Sequence, residues 1–249
     1  MLLFFIVALI CSSVGFIRYV WFMSVGYGLA AAGIGLTLFI LTIIHGNFNI
    51  LFSILCILFM IYGIRLGGFL LFRELKNASY RKKLAEAGGS KKLKLPIKII
   101  LWISMSFMYI CQCAGPIYRY LNQAENTLSL FIAILVCIVG IWMETVADNQ
   151  KSESKKINPN MPAMEGLYKW CRCPNYFGEI LFWTGSFISS FGVVHGAQWI
   201  LVILGYVLII GVMISGAKRV EKRHNQSYGD IKEYQEYSAS TPLLIPHIK

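Results

Sequence analysis

About seven stretches of roughly twenty apolar residues each, divided by polar segments, constrain this chain more than any other feature. They run roughly 1–21, 23–44, 49–72, 97–118, 127–147, 178–195 and 198–217. Each approaches the length a helix needs to cross about 30 Å of hydrocarbon at about 1.5 Å per residue. Inside a bilayer every backbone N–H and C=O must be paired internally, which leaves helices or a closed barrel. Continuous apolar runs without alternation select helices. Hydrophobic residues make up 57% of the 249 and charged residues only 14%, against about 25% charged in a soluble domain. The expected fold is therefore all-α: one integral-membrane domain over 1–249, a polytopic bundle of about seven helices.

The net charge of +11 is concentrated. Nine Lys and Arg fall in 73–98, five in 148–177 and six in the tail from Lys218, whereas 45–48 and 119–126 contain only Arg119. In a soluble chain such charge would suggest nucleic acid. Here it reads as cytoplasmic loops, so the N-terminus is expected outside and the C-terminus in the cytoplasm, with no nucleic-acid partner. A basic surface also attracts anionic membrane lipids or an anionic cofactor. The first stretch lacks a basic n-region and a small-residue cleavage site, and reads as a span rather than a removed signal peptide. Gly88-Gly89-Ser90 reads as a loop tip. Gly26-x-Gly28 and Gly33-x-Gly35 read as close helix packing. Most of the seven cysteines lie in apolar stretches and read as small hydrophobes. A lone Cys171-x-Cys173 carries no metal assignment.

Ionisable side chains at membrane depth are costly, so they face a cavity or a partner. Arg65, Glu144, Asp148 and Glu179 qualify, and Glu144 and Asp148, four apart, share a helix face. An ion pair between spans and a functional role both remain open for Arg65. The densest constellation is Gly166-Leu167-Tyr168-Lys169-Trp170-Cys171-Arg172-Cys173-Pro174-Asn175-Tyr176-Phe177-Gly178-Glu179. Pro174 suits the first turn of a helix. A helix start beside Lys169 and Arg172 is a phosphate-binding environment. Asn175 and Glu179 share a face; an aromatic interfacial belt explains the aromatics but not these two. His224 and Tyr228 form another four-apart pair, in a segment that alone would read as a solvated basic helix.

Taken in order, Glu144-x3-Asp148-x-Gln150, Gly166-Leu167-Tyr168, Arg172-x-Pro174-Asn175-Tyr176-Phe177-Gly178-Glu179, Glu221-x6-Ser227-Tyr228-Gly229, and Tyr237 with Pro242-Leu243-Leu244-Ile245-Pro246 resemble the C-terminal domain of steroid 5α-reductases and their bacterial relatives of the DUF1295 type. Arg65-Leu66-Gly67-Gly68-Phe69-Leu70-Leu71-x-Arg73 is similar to a segment of the bacterial group. The resemblance implies a seven-helix protein, in a bacterial inner membrane, that holds NADPH from the cytoplasmic side. Asp148, Arg172, Asn175, Glu179, His224 and Tyr228 would contact the cofactor within a C-terminal half, 127–249. The implied reaction reduces a carbon–carbon double bond conjugated to a carbonyl in a lipophilic small molecule. The N-terminal spans, 1–126, would then supply the group that hydrogen-bonds the carbonyl oxygen. Tyr62 and His45, with Tyr27, are candidates by chemistry, since each can donate a hydrogen bond. Many relatives have a histidine where this chain has Cys173. An isoprenylcysteine-type carboxyl methyltransferase, using S-adenosylmethionine, has a related core; Asn175 with Glu179 resembles the reductases instead. A membrane protein that keeps the fold without catalysis is the third reading.

Overall fold

A computed structural model describes residues 1–76, 93–125 and 127–247. Gly88-Gly89-Ser90 lies outside them. The described residues form helices and no strand: α1 (Leu2–Ser12), α2 (Val25–Ile44), α3 (Ile50–Lys76), α4 (Leu95–Gln112), α5 (Ala114–Leu121), α6 (Leu128–Ile157), α7 (Pro174–Ile188), α8 (Gln198–Tyr228) and α9 (Lys232–Ser240). Short 3-10 turns cover Ser13–Phe16, Tyr19–Phe22 and Gly166–Lys169. Five helical segments are long and apolar enough to cross a membrane: Tyr19–Ile44, Ile50–Lys76, Leu95–Gln112, Leu128–Ile157 and Gln198–Tyr228. They mark the chain as a membrane protein.

Two expected spans are shorter than their apolar stretches. The first stretch is helical only to Ser12 before the 3-10 turns begin; its α1 extends about 16 Å. The sixth gives α7, fifteen residues or about 22 Å. The fourth, 97–118, breaks at Cys113, between α4 and α5. Pro116 is the reason. Proline lacks an N–H and its ring collides with the carbonyl four residues earlier. That carbonyl belongs to Gln112, and the Ser186 hydroxyl donates to it at 3.1 Å.

The chain divides into two compact units, one of 1–134 with 186–205 and the other of 135–185 with 206–249. In the first, α2 packs along α3 through small residues. A Cβ placed on Gly28 would stand 2.6 Å from the Gly63 carbonyl oxygen, and one on Gly35 2.8 Å from that of Cys56. Only glycine allows backbones this close. Apolar and aromatic side chains fill the rest, including Phe22, Ile34, Leu38, Leu55 and Phe59, each nearly inaccessible to solvent.

The second unit uses the same device where α7 meets α6. A Cβ on Gly178 would lie 2.7 Å from the Glu144 amide nitrogen, and one on Gly140 2.6 Å from that of Phe182. Met143, Ala147, Ala163, Leu167 and Tyr168 form one apolar cluster, and Cys173, Ala217 and Val220 another. Gly178 thus sets the depth at which its neighbour Glu179 and the first turn of α7 are presented.

Candidate functional site

The motif pieces that are far apart in sequence interlock in the second unit. Gln150 Oε1 accepts a hydrogen bond from the Leu167 amide at 2.9 Å. This joins the end of the Asp148-x-Gln150 motif to Gly166-Leu167-Tyr168. Gly166 adopts φ +66, and a Cβ there would lie 2.6 Å from the Gln150 amide carbon. Conformation and space both require glycine. The C-terminal motif straps the same segment. Tyr237 Oη donates to the Tyr168 carbonyl at 2.8 Å, the Arg172 amide donates to the Pro242 carbonyl at 2.9 Å, and the His247 amide donates to that of Trp170 at 3.0 Å.

α7 starts at Pro174, as the sequence predicts. At this start lies a narrow cleft. Lys151 and Lys155 of α6, Arg172 and Asn175 around the α7 start, and Val220 and His224 of α8 line it, together with Pro162, Ala163, Tyr168, Cys173 and Tyr176. Among these described residues three are cations and none is a carboxylate. Arg172 is tied at its edge to Glu221, Nη2 to Oε1 at 2.6 Å. Its Nε is buried with no hydrogen-bond partner among the described residues. Lys155 Nζ donates to the Tyr228 hydroxyl at 2.8 Å and lies 5.0 Å from the centre of that ring. His224, Tyr228 and Tyr234 form an aromatic triangle with ring centres 5.6, 5.9 and 6.5 Å apart. The Tyr234 hydroxyl donates to Asn225 Oδ1 at 2.6 Å.

The structure therefore brings Arg172, Asn175, His224 and Tyr228 together. Asp148 and Glu179 are buried carboxylates on α6 and α7 that do not line the cleft. Asp148 acts on a neighbour: burial pushes the Tyr168 phenol well above its usual range, with the Asp148 charge adding to the effect. Lys169 is not part of the cleft. It pairs with Glu165 at 2.5 Å and faces a separate open groove of about 520 Å³. Cys173 is packed as a small hydrophobe and is 2% exposed; burial pushes its thiol up to about 11.

Tyr62 and His45 belong to the first unit, and nothing there brings them together. Tyr62 is fully buried and shares a 2.9 Å hydrogen bond with the Tyr27 hydroxyl. His45 caps the far end of α2, exposed, 2.7 Å from the Tyr120 hydroxyl. Eighteen residues of helix separate Tyr27 from His45, about 27 Å.

Lys151 and Lys155 escaped the reading of motifs, yet their signal was present. Positions 148, 151 and 155 recur at i, i+3 and i+7, one helix face. Tyr234 carried no comparable signal, because it joins the cluster only through the turn after α8.

Against known families, residues 4–241 match DUF1295, described as a protein of unknown function. The chain belongs to that family. No curated protein and no solved structure matches it.

Proposed function

We propose that this DUF1295 member is a membrane-embedded, NADPH-dependent reductase. Its substrate would carry a carbon–carbon double bond conjugated to a carbonyl, in a lipophilic steroid-, polyprenoid- or fatty-acyl-like molecule. One observation carries this reading: motif pieces that resemble steroid 5α-reductases, from Gln150 to Pro242, interlock around the 166–172 segment, which with Asn175 and His224 forms one cationic cleft at a helix start.

The residues present suit a ligand with phosphates. Three cations without a lining carboxylate make the cleft attractive to anions, and the buried Arg172 Nε is a donor left to satisfy. Arg172 and Lys151 would hold phosphate, with the amide of Asn175 and the rings of His224 and Tyr228 orienting the rest. Asp148 and Glu179, buried on α6 and α7 outside the lining of the closed cleft, would accept hydrogen bonds from amide or ribose hydroxyl groups only once the cleft opens. The bound cofactor supplies hydride to the carbon β to the carbonyl. Tyr62, with Tyr27 as its hydrogen-bond partner, is the proposed donor to the carbonyl oxygen, where negative charge grows in the transition state. His45 is the lesser candidate, since it sits at the exposed end of α2.

The proposal extends to topology. α1 with its following turns, and α7, complete about seven crossings in a bacterial inner membrane, with an outside N-terminus and a cytoplasmic cleft and C-terminus. Membranes containing the protein, given NADPH deuterated at the transferred position and a panel of lipophilic enones, test the chemistry. Deuterium at the β-carbon is expected. Deuterium at the carbonyl carbon would make the protein a ketone reductase, and no NADPH consumption would remove the enzymatic reading.

A further inference from the structure

The cleft encloses only about 10 Å³ of free space, room for about one water molecule. A nucleotide enters only if part of the wall moves. One wall is the segment between α6 and the Gly166–Lys169 turn. Its residues Met161, Pro162 and Ala163 are buried, with Pro162 and Ala163 lining the cleft. They plug a site whose other walls are cationic and aromatic.

The polar hold on the plug comes chiefly from one side chain. Lys155 Nζ donates to the Pro159 carbonyl at 3.0 Å, to the Met161 carbonyl at 2.6 Å, and to the Tyr228 hydroxyl at 2.8 Å. An ammonium has three donors, and these acceptors use all of them. At its far end the segment meets Gly166, in a left-handed conformation, and the Gln150–Leu167 bond. Backbone hydrogen bonding inside the segment is sparse: the Asn160 amide donates to Asn158 Oδ1 at 3.1 Å, and that of Met161 to the Asn158 carbonyl at 3.4 Å. It is therefore fixed chiefly by Lys155 and by three apolar side chains.

We infer that Lys155 is a ligand-exchanged latch: it pins the 158–165 segment into the cleft of the free protein and gives up the Pro159 and Met161 carbonyls to a phosphate of an entering nucleotide, releasing the segment about Gly166. The inference rests on the proposed cofactor reading for the identity of the nucleotide, though not for the latch. Exchange is favourable because a charge-assisted bond to phosphate is stronger than one to a neutral carbonyl. Since Lys155 also binds Tyr228, release of the segment is coupled to the aromatic triangle of α8 and α9.

Hydrogen exchange read by mass spectrometry on the full chain in lipid nanodiscs decides the matter. The samples are wild type and Lys155→Met, each alone, with NADPH and with inorganic pyrophosphate. Lys155→Met without ligand is expected to exchange at least about tenfold faster across 158–165, matching the loss of about 1.4 kcal/mol or more of latch. Wild type is expected to speed up there on adding either ligand, and the variant to show no further change. Unchanged exchange in Lys155→Met overturns the latch. So does an opened variant whose wild-type parent responds to neither ligand, because no exchange of partners then occurs. If the variant does not fold, the wild-type response alone decides. Faster exchange with pyrophosphate but no effect of NADPH on exchange or heat stability would uphold the latch and remove NADPH as its nucleotide.

Discussion

Two arginines, Arg119 buried and Arg172 partly buried, show how the compact units differ. In the first unit, Arg119 is 1% exposed and fully engaged: Nε and Nη2 donate to the Ser189 carbonyl, Nη1 to that of Glu125, and Nη2 also to the hydroxyls of Thr127 and Ser129. In the second unit, Arg172 gives Nη2 to Glu221 and keeps a buried Nε with no acceptor among the described residues. A buried donor that finds no partner costs about 1–3 kcal/mol. A fold retains such a group where another need offsets the cost, whereas Arg119 needs nothing beyond its own chain. The lesson is that burial of charge alone does not locate function. Unsatisfied buried atoms as such do not locate it either, since the first unit has them at Gln112; what distinguishes the site is an unsatisfied guanidinium nitrogen in a cleft with like charges gathered around it.

Substitutions sharpen this contrast. Arg119→Met should cost the most, about 3–5 kcal/mol of stability, because it strands several buried acceptors. Chemical or thermal unfolding in detergent measures it, and a loss below about 1 kcal/mol would end the distinction. Tyr62→Phe should lower turnover by about 10²–10³ while leaving NADPH affinity unchanged, as expected for one lost donor to a developing oxyanion. A parallel fall in cofactor affinity would break the division of labour between the units. Arg172→Met should fold normally and bind NADPH at least about tenfold more weakly, and Asn175→Ala should do the same through a lost hydrogen bond of about 1–3 kcal/mol. Titration of intrinsic fluorescence with NADPH checks both; unchanged affinity in both would remove the site. The smallest effect expected is on Cys173. With its thiol pushed up to about 11 by burial, it stays protonated at pH 8, so alkylation should be slow there and speed up when the segment above it opens. Rapid labelling of Cys173 in the closed protein would contradict its packing among Ala217 and Val220.

The sequence made the helices legible because bilayer length and apolar composition leave few alternatives. Pro174 as a helix start and the glycines of α2 as close contacts were legible for the same reason, since each follows from one residue's covalent geometry. Positions that depend on a distant partner were hidden. Arg119 looked like a lone loop cation, and only the fold supplies Ser189 and Glu125 around it. The break at Cys113 was written in Pro116, but the hydroxyl of Ser186 that makes it tolerable comes from 74 residues away. Lys155 lay on the Asp148 face in plain view, yet its role needs the Met161 carbonyl and Tyr228 together. Lys169 shows the converse: it is adjacent in sequence to the site and turned to a different groove.

The most direct test of the central claim is heat unfolding of the purified protein with NADPH, NADH, S-adenosylmethionine or no ligand. A ligand that binds only the folded state stabilises by about 2.7 kcal/mol at one hundred times its Kd. The account predicts a rise in Tm with NADPH, reduced by added salt because phosphate contacts are screened, and cut to about half or less in Arg172→Met at the same ligand concentration. Protection by S-adenosylmethionine instead, or by none of the three, would contradict it.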